Sequence, residues 1–181
     1  LGLEESGVAT IGAVPAGLNV PGATGENVVQ GHDVIAGRAA VRGNAVVVGG
    51  RFIGMEVAIM LAELGRPVSL VTQAGLGEDG IRLEPMTFRA LARKLIELRV
   101  PLYLHSRVVE ITGRAVMMTV GDDIFALPAD TVILAVGMRP ENKLAQELEG
   151  LVPKVHTLGD CVKPKDAAAV MVQAGQLARL I

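Results

Sequence analysis

The hydrophobic pattern in the middle of the chain changes from a continuous apolar run to a helical spacing across a short glycine-rich stretch. Ala45–Val48 are four consecutive apolar residues, three of them β-branched, which predicts a strand buried on both faces. From residue 52 to residue 64 the apolar positions recur at helical spacing, and Gly65 follows as a predicted stop. The pattern therefore predicts a strand, a tight turn and a helix in succession.

The remaining apolar runs predict an α/β protein with a Rossmann-like parallel sheet, helices on both faces and an antiparallel β-meander. Further strands are expected at residues 27–30, 67–72, 101–104, 131–136 and 155–158, and the meander at 107–112, 115–120 and 124–127. Helices are expected from Pro85 onward, at 143–149 and at 166–181. A brief helix at 34–36 is expected to be capped by His32 and Asp33.

The turn after the first buried strand carries a variant of the G-x-G-x-x-G fingerprint of dinucleotide-binding βαβ units. The first and third glycines are Gly49 and Gly54, whereas Arg51 replaces the second. Unpaired amides at the helix N-terminus, together with the helix dipole, form a site for a pyrophosphate. The candidate phosphate-binding residues are Gly49, Gly50, Arg51, Phe52, Ile53 and Gly54.

Arg51 leaves two interpretations open. The second glycine normally lets the backbone approach the phosphates without a Cβ in the way. The Arg51 side chain either crowds the nucleotide or clamps its phosphates with the guanidinium group. An ordinary βα turn that binds no ligand is the further alternative.

The end of the second predicted strand also departs from the dinucleotide-binding pattern. A carboxylate about 20 residues after the fingerprint normally binds the adenosine ribose, but Thr72 and Gln73 stand there. Thr72 can supply one hydrogen bond, worth about 1 kcal/mol. Because this strand end also lacks an arginine for a 2′-phosphate, NADP is not favoured, and an altered nucleotide affinity is expected.

Composition excludes several other classes of function. Aromatic residues make up 2% of the chain and its net charge is −2, which argues against base stacking and against nucleic-acid binding. Cys161 is the single cysteine and the three histidines are far apart, so neither a disulfide nor a metal site is expected. The sequence contains no apolar run of about 18 residues, and a cytoplasmic location without membrane contact is expected.

Four segments in this order resemble the flavoproteins in which an NAD(P)H domain is inserted into an FAD domain. They are residues 8–15, 49–56, 135–142 and 157–161. The Gly-Asp-Cys sequence at 159–161, without a redox cysteine pair, is most similar to NADH:flavin oxidoreductases of the 2,4-dienoyl-CoA reductase and trimethylamine dehydrogenase group. The resemblance implies an oxidoreductase that uses FAD together with NAD(P)H or ADP.

The resemblance also implies further site residues. Asp160, which follows Gly159, matches the acid that holds the ribityl or pyrophosphate region of FAD, although a plain turn acid is the alternative. Glu56 matches an acid near the nicotinamide, with a polar residue on an apolar helix as the alternative. Gly137 lies in a matching segment and is a candidate cofactor-binding residue. No residue is assigned a catalytic role.

The implied domain organisation is discontinuous. Residues 1–40 are expected to be the tail of an incomplete FAD-type domain and its connection, 41–137 the NAD(P)-type domain, and 138–181 the second part of the FAD-type domain. The group's FMN barrel, iron–sulfur cysteines and first FAD fingerprint are not in this sequence. The chain is therefore expected to be a fragment, or a subunit completed by another chain. It would hold FAD only with that N-terminal region and would be inactive alone. A non-catalytic, ADP-binding module of an amine dehydrogenase-like enzyme is the alternative.

Overall fold

The computed structural model describes residues 7–10, 12–78, 85–165 and 167–179. These residues form two compact units, one of residues 16–137 and the other of the residues before 16 and after 137. The strands are β1 (Gly7–Thr10), β2 (Ala13–Pro15), β3 (Val28–Gln30), β4 (Ala45–Val48), β5 (Val68–Val71), β6 (Leu102–Tyr103), β7 (Ser106–Ile111), β8 (Ala115–Val120), β9 (Asp123–Pro128), β10 (Thr131–Leu134), β11 (Met138–Pro140) and β12 (Lys154–Thr157). The α-helices are α1 (Gly31–Ile35), α2 (Phe52–Glu63), α3 (Pro85–Glu97), α4 (Lys143–Leu148) and α5 (Ala167–Leu177), and a 3₁₀ helix spans Gly159–Cys161.

A five-stranded sheet organises the unit of residues 16–137. Its strand order is β3-β10-β4-β5-β6, and every neighbouring pair is parallel. All four residues of β4 and all four of β10 are buried, as expected for central strands of a parallel sheet. The chain adds β5 and β6 on one side of β4 and β10 on the other, so the direction of the connections reverses beside β4. The predicted α/β class is confirmed.

The two faces of this sheet bury different partners. Side chains of Val47, Leu70 and Ile133 share one core with α1, α2 and α3. Their neighbours Val46 and Val71 share a second core with residues of β7 and β8. The structure therefore covers the second face of the described sheet with the antiparallel meander β7-β8-β9, where the sequence had suggested helices.

Local capping explains two of the helix boundaries. Gly65 has a φ of 69°, and its amide bonds to the carbonyl of Ala62, which ends α2 as predicted. In contrast, α1 begins at Gly31 with Gln30 as its N-cap, so the expected cap at His32 and Asp33 was wrong. The carboxylate of Asp33 instead lies 2.8 Å from the Arg38 guanidinium.

The basic residues of α3 lie on its exposed side. Lys94 Nζ lies 2.9 Å from Glu63 Oε1, an ion pair that joins α3 to α2. The hydrogen bond and charge of Glu63 raise the pKa of Lys94 above its ordinary value. Arg93 lies 3.6 Å from Glu97 one turn further along α3. These contacts lie on the solvated face of α3, and residue 84, which precedes the helix, lies outside the described residues.

The second unit contains two small sheets. Strand β1 pairs with β12 in parallel, and β2 pairs with β11 in antiparallel register. Helix α4 begins after Asn142, as predicted, but the cap is not made by the Asn142 side chain. Residues 16–40 group with the larger unit, in which β3 pairs with β10, and the predicted domain boundaries stay a prediction. The assignment of either unit to FAD or to NAD(P) stays a prediction.

Candidate functional site

A cleft of about 640 Å³ opens at the carboxyl ends of β4, β5 and β10. Its volume lies in the range of small-molecule sites, and its position beside the reversal of connections is where open α/β sheets bind ligands. The start of β7 and residues 18–20 complete its walls. The polar and charged residues that line it are Asn19, Arg51, Thr72, Gln73, Ser106 and Arg107.

The first and third glycines of the fingerprint are required by close backbone approaches. Gly49 has a φ of 121°, and a Cβ there would collide with the carbonyl group of Ala135 on β10. A Cβ on Gly54 would collide with the carbonyl oxygen of Gly49. The two glycines therefore let α2 begin directly against the turn, and let the turn pack against the end of β10.

Gly50 occupies a third crowded position in the turn. A Cβ there would lie 2.8 Å from Thr72 Oγ1 at the end of β5. The carbonyl of Gly50 accepts a hydrogen bond of 3.0 Å from the amide of Gly77, in the loop after β5. The turn is thus held between the ends of three strands and one loop.

The N-terminus of α2 has no side-chain cap. Arg51 is the N-cap residue, and its carbonyl accepts the first bond of the helix, from the Met55 amide at 2.9 Å. The amides of Phe52, Ile53 and Gly54 precede this bond, so they have no carbonyl of the helix to bind. An anion placed before them would bind these amides and the positive end of the helix dipole.

The Arg51 side chain extends across the mouth of the turn. Its Nη1 atom lies 3.7 Å from the point where a Cβ of Gly137 would stand, just after β10. The guanidinium has neither a hydrogen bond nor an ion pair with any residue that the structure describes. Arg51, the residue that directly precedes the free amides of α2, therefore adds an uncompensated positive charge to the lining of the cleft.

Thr72 is buried in the wall of the cleft, with 2% of its surface exposed. Its amide donates to the Tyr103 carbonyl and its carbonyl accepts from the Ser106 amide, each at 2.9 Å. Its hydroxyl oxygen, which lies against Gly50, has no hydrogen-bond partner among the described residues. An unpaired buried hydroxyl is unfavourable by about 1–3 kcal/mol.

Thr72→Val is therefore expected to raise the free energy of unfolding by about 1 kcal/mol, because valine keeps the shape and removes the unpaired hydroxyl. Thr131→Val is the matched control, since the buried Thr131 hydroxyl both accepts from the Arg42 amide and donates to the Arg42 carbonyl, each at 2.9 Å. That control is expected to lose about 1–2 kcal/mol. Urea denaturation measures both changes, and a loss of stability in Thr72→Val contradicts the expectation.

The structure brings Arg107 to the same cleft, which the sequence had not indicated. The hydrogen bond from the Ser106 amide to the Thr72 carbonyl sets the start of β7 across the end of β5. Arg107 is exposed there, and its side chain has no hydrogen bond or ion pair with the described residues. The described lining of the cleft thus contains Arg51 and Arg107 but neither Asp nor Glu.

Other predicted site residues have different surroundings. Phe52 and Ile53 are partly buried against the core that contains α1, α2 and α3, and neither lines the cleft. Glu56 is exposed on α2 and does not line the cleft. Gly137 has a φ of 105° and follows Val136, which does line the cleft. Their roles toward a cofactor stay predictions.

Gly159 and Asp160 lie in the second unit beside a separate pocket of about 450 Å³. The Gly159 amide donates to Gln173 Oε1 at 2.8 Å, so it is already paired. Asp160 Oδ1 accepts from the Lys165 amide at 3.1 Å, shortly before α5 begins. This bond is the one expected of a turn acid, and a role of Asp160 toward FAD stays a prediction. The predicted helix start at residue 166 lies outside the described residues.

The described residues contain no group of three or more His, Cys, Asp or Glu side chains placed to hold a metal ion. Of the described helices, none combines the length and apolar character that crossing a membrane requires. Cys161 is buried, and its Sγ lies 3.2 Å from the Leu158 carbonyl oxygen.

The fold and the cleft define a Rossmann-type domain of the FAD/NAD(P)-binding oxidoreductases. The sequence matches the pyridine nucleotide-disulphide oxidoreductase family over residues 8–175. The chain belongs to this family.

Curated relatives are reductases and oxidases much longer than this chain. A metal reductase of Desulforamulus reducens is 30% identical over an alignment of 197 residues, which covers 92% of this chain and 29% of the relative. A bilirubin reductase of Mediterraneibacter gnavus is 33% identical over 132 residues, 72% of this chain and 20% of the relative. The chain thus spans between a fifth and a third of these two proteins.

Solved structures share the fold at lower identity. A 2-naphthoyl-CoA reductase aligns with a TM-score of 0.79 at 23% identity, covering 91% of this chain and 25% of that protein. Histamine dehydrogenase from Rhizobium sp. 4-9 aligns with a TM-score of 0.80 at 20% identity. The alignment covers 96% of this chain and 30% of that protein. At these identities the similarity concerns the fold alone.

Proposed function

We propose that the cleft binds the ADP portion of a pyridine nucleotide and thereby positions NAD(P)H beside a flavin in a larger oxidoreductase. The observation that carries this proposal is the juxtaposition, in one cleft, of the uncapped N-terminus of α2 and the unpaired Arg51 guanidinium. Both groups favour a pyrophosphate. When bound, NAD(P)H supplies a hydride to an acceptor, whereas the protein supplies binding and orientation.

The residues present fit such a ligand. Gly49 lines the cleft without a side chain, and Gly50 beside it packs against Thr72. The amides of Phe52, Ile53 and Gly54 face the position before α2, where phosphate oxygens would accept from them. In this proposal Arg51 clamps the phosphates, because it lines the same cleft and its guanidinium pairs with no carboxylate among the described residues.

The flavin belongs to the same proposal. The Gly159–Asp160 turn and its pocket would contact FAD, completed by the N-terminal flavin and iron–sulfur domains or by another subunit. We place the parent protein in the 2,4-dienoyl-CoA reductase and trimethylamine dehydrogenase group on the four sequence segments described above. The fold similarity to 2-naphthoyl-CoA reductase and histamine dehydrogenase supports the wider fold family to which this group belongs. The proposed location is cytoplasmic.

A second candidate function is a non-catalytic, ADP-binding module. The end of β5 supports it, because Thr72 and Gln73 supply no carboxylate for an unmodified adenosine ribose. In this version the cleft holds ADP and contributes to assembly, and electrons leave the larger enzyme by another route.

Isothermal titration calorimetry of the chain with NADH, NADPH and ADP separates these functions. Positioning of a pyridine nucleotide predicts that NADH or NADPH binds at least tenfold more tightly than ADP, because the nicotinamide half adds contacts. Equal affinities for ADP and for both dinucleotides favour the ADP-binding module. If none of the three nucleotides binds, the proposed pyrophosphate site is wrong.

A further inference from the structure

We propose that the β5 end of the cleft selects an adenine nucleotide whose ribose carries a phosphate monoester, and that Arg107 is the residue that determines this selectivity. The inference rests on the proposed function, because it concerns the ribose end of the same nucleotide. It reverses the expectation from sequence, which did not favour NADP.

The position of the ribose follows from the topology. With the pyrophosphate at the Gly49 turn, the adenosine ribose of a βαβ-bound nucleotide lies at the end of the next strand. That strand is β5. Thr72 and Gln73 follow it directly and line the cleft. Arg107 lines the cleft beside them, because the Ser106 amide is bonded to the Thr72 carbonyl.

The chemistry of these side chains distinguishes the two kinds of ribose. An unmodified ribose presents hydroxyl groups that a carboxylate binds as a double acceptor, and no described residue of the cleft is acidic. A guanidinium only donates hydrogen bonds and matches the oxygens of a phosphate. Arg107 therefore suits a phosphorylated ribose better than a free one.

The charge of Arg107 is also available. No carboxylate among the described residues pairs with it, and its backbone is fixed by the pairing of β7 with β8, where it lies opposite Thr119. Ser106, the preceding residue, is buried and donates from its hydroxyl to the Leu104 carbonyl at 2.9 Å. The arginine is thus presented from a paired strand with an exposed side chain that has no hydrogen-bond or ion-pair partner among the described residues.

Calorimetry with pairs of ligands that differ by one phosphate tests this inference. NADPH is compared with NADH for the 2′ position, and adenosine 3′,5′-bisphosphate with AMP for the 3′ position. At least one phosphorylated ligand is expected to bind about tenfold more tightly than its parent, and Arg107→Gln is expected to reduce that ratio to about one. Because Arg107 also contributes positive charge to the cleft, the affinity for NADH and AMP is expected to fall as well, but by less than the affinity for the phosphorylated ligands.

Arg114→Gln is the matched control, because Arg114 is exposed in the turn between β7 and β8 and does not line the cleft. Its ligand ratios should equal those of the unchanged chain. The inference is overturned if the unchanged chain binds phosphorylated and unphosphorylated ligands equally well. It is also overturned if Arg107→Gln keeps the preference for the phosphorylated ligand. Neither result contradicts nucleotide binding itself. Failure of every nucleotide to bind overturns the proposed function and this inference together. Circular dichroism confirms that each variant is folded.

Discussion

Gly54→Ala is expected to lower the free energy of unfolding by roughly 2–3 kcal/mol, although alanine is the better helix former. Alanine in place of a helical glycine normally gains about 1 kcal/mol. At Gly54 the added methyl group would collide with the Gly49 carbonyl oxygen and approach the Ala135 Cβ to 3.4 Å. The first neighbour is backbone in a turn that already packs against β10, so α2 must move, and the overpacking exceeds the gain in helix propensity.

Gly175→Ala provides the matched control for this substitution. Gly175 lies inside α5, and a Cβ there would have nothing within 4 Å. This change is expected to leave stability unaltered or to raise it by up to about 1 kcal/mol. Chemical denaturation followed by circular dichroism measures both variants. If Gly54→Ala were as stable as the unchanged chain, the close approach of α2 to the Gly49 turn would not be required for folding.

Arg51→Gly is expected to weaken ADP binding by about 10- to 100-fold, because hydrogen bonds to charged groups contribute about 1.5–3 kcal/mol. The substitution restores the glycine of the standard fingerprint, so it also removes any crowding by the Cβ of residue 51. The two interpretations of Arg51 therefore predict opposite changes: a clamp predicts a loss of affinity, and crowding predicts a gain.

Arg51→Ala and Arg51→Lys complete this test. Alanine keeps the Cβ but removes the guanidinium, so a clamp predicts the same loss as in Arg51→Gly. Lysine keeps the positive charge but lacks the planar guanidinium that donates two parallel hydrogen bonds. Its affinity for ADP is expected to lie between those of the unchanged chain and Arg51→Ala. Titration calorimetry with ADP gives the dissociation constants, and tighter binding by Arg51→Gly alone would identify crowding as the dominant effect.

The glycine turn could be predicted from sequence because its requirements are local. Gly49 and Gly54 are five positions apart on consecutive elements, and each serves a contact within or beside the turn. The buried strands β4 and β10 were likewise predictable, since four consecutive apolar residues suit a strand covered on both faces. Roles toward specific cofactors are not local in this sense and stay predictions.

The position of Arg107 in the cleft, and the covering of one sheet face by the meander, depend on packing between segments that are distant in sequence. The alternation of apolar residues in β7 and β8 predicts a half-buried meander, but it does not specify which surface the meander covers. That surface is set by the shared core of Val108 and Val116 with Val46 on β4. The same docking brings Arg107 to the end of β5, so neither feature had a signal in the local sequence.

The bond between Ser106 and Thr72 makes the meander a structural part of the cleft rather than an appendage to the sheet. The amides that we propose to contact phosphate belong to the β4–α2 turn, whereas Arg107 at the β5 end belongs to the first residues of the meander. The two ends of the cleft are therefore encoded in separate segments of the gene. Exchange of the meander between relatives, as one block, would change the charge at the β5 end while the glycine turn is inherited unchanged.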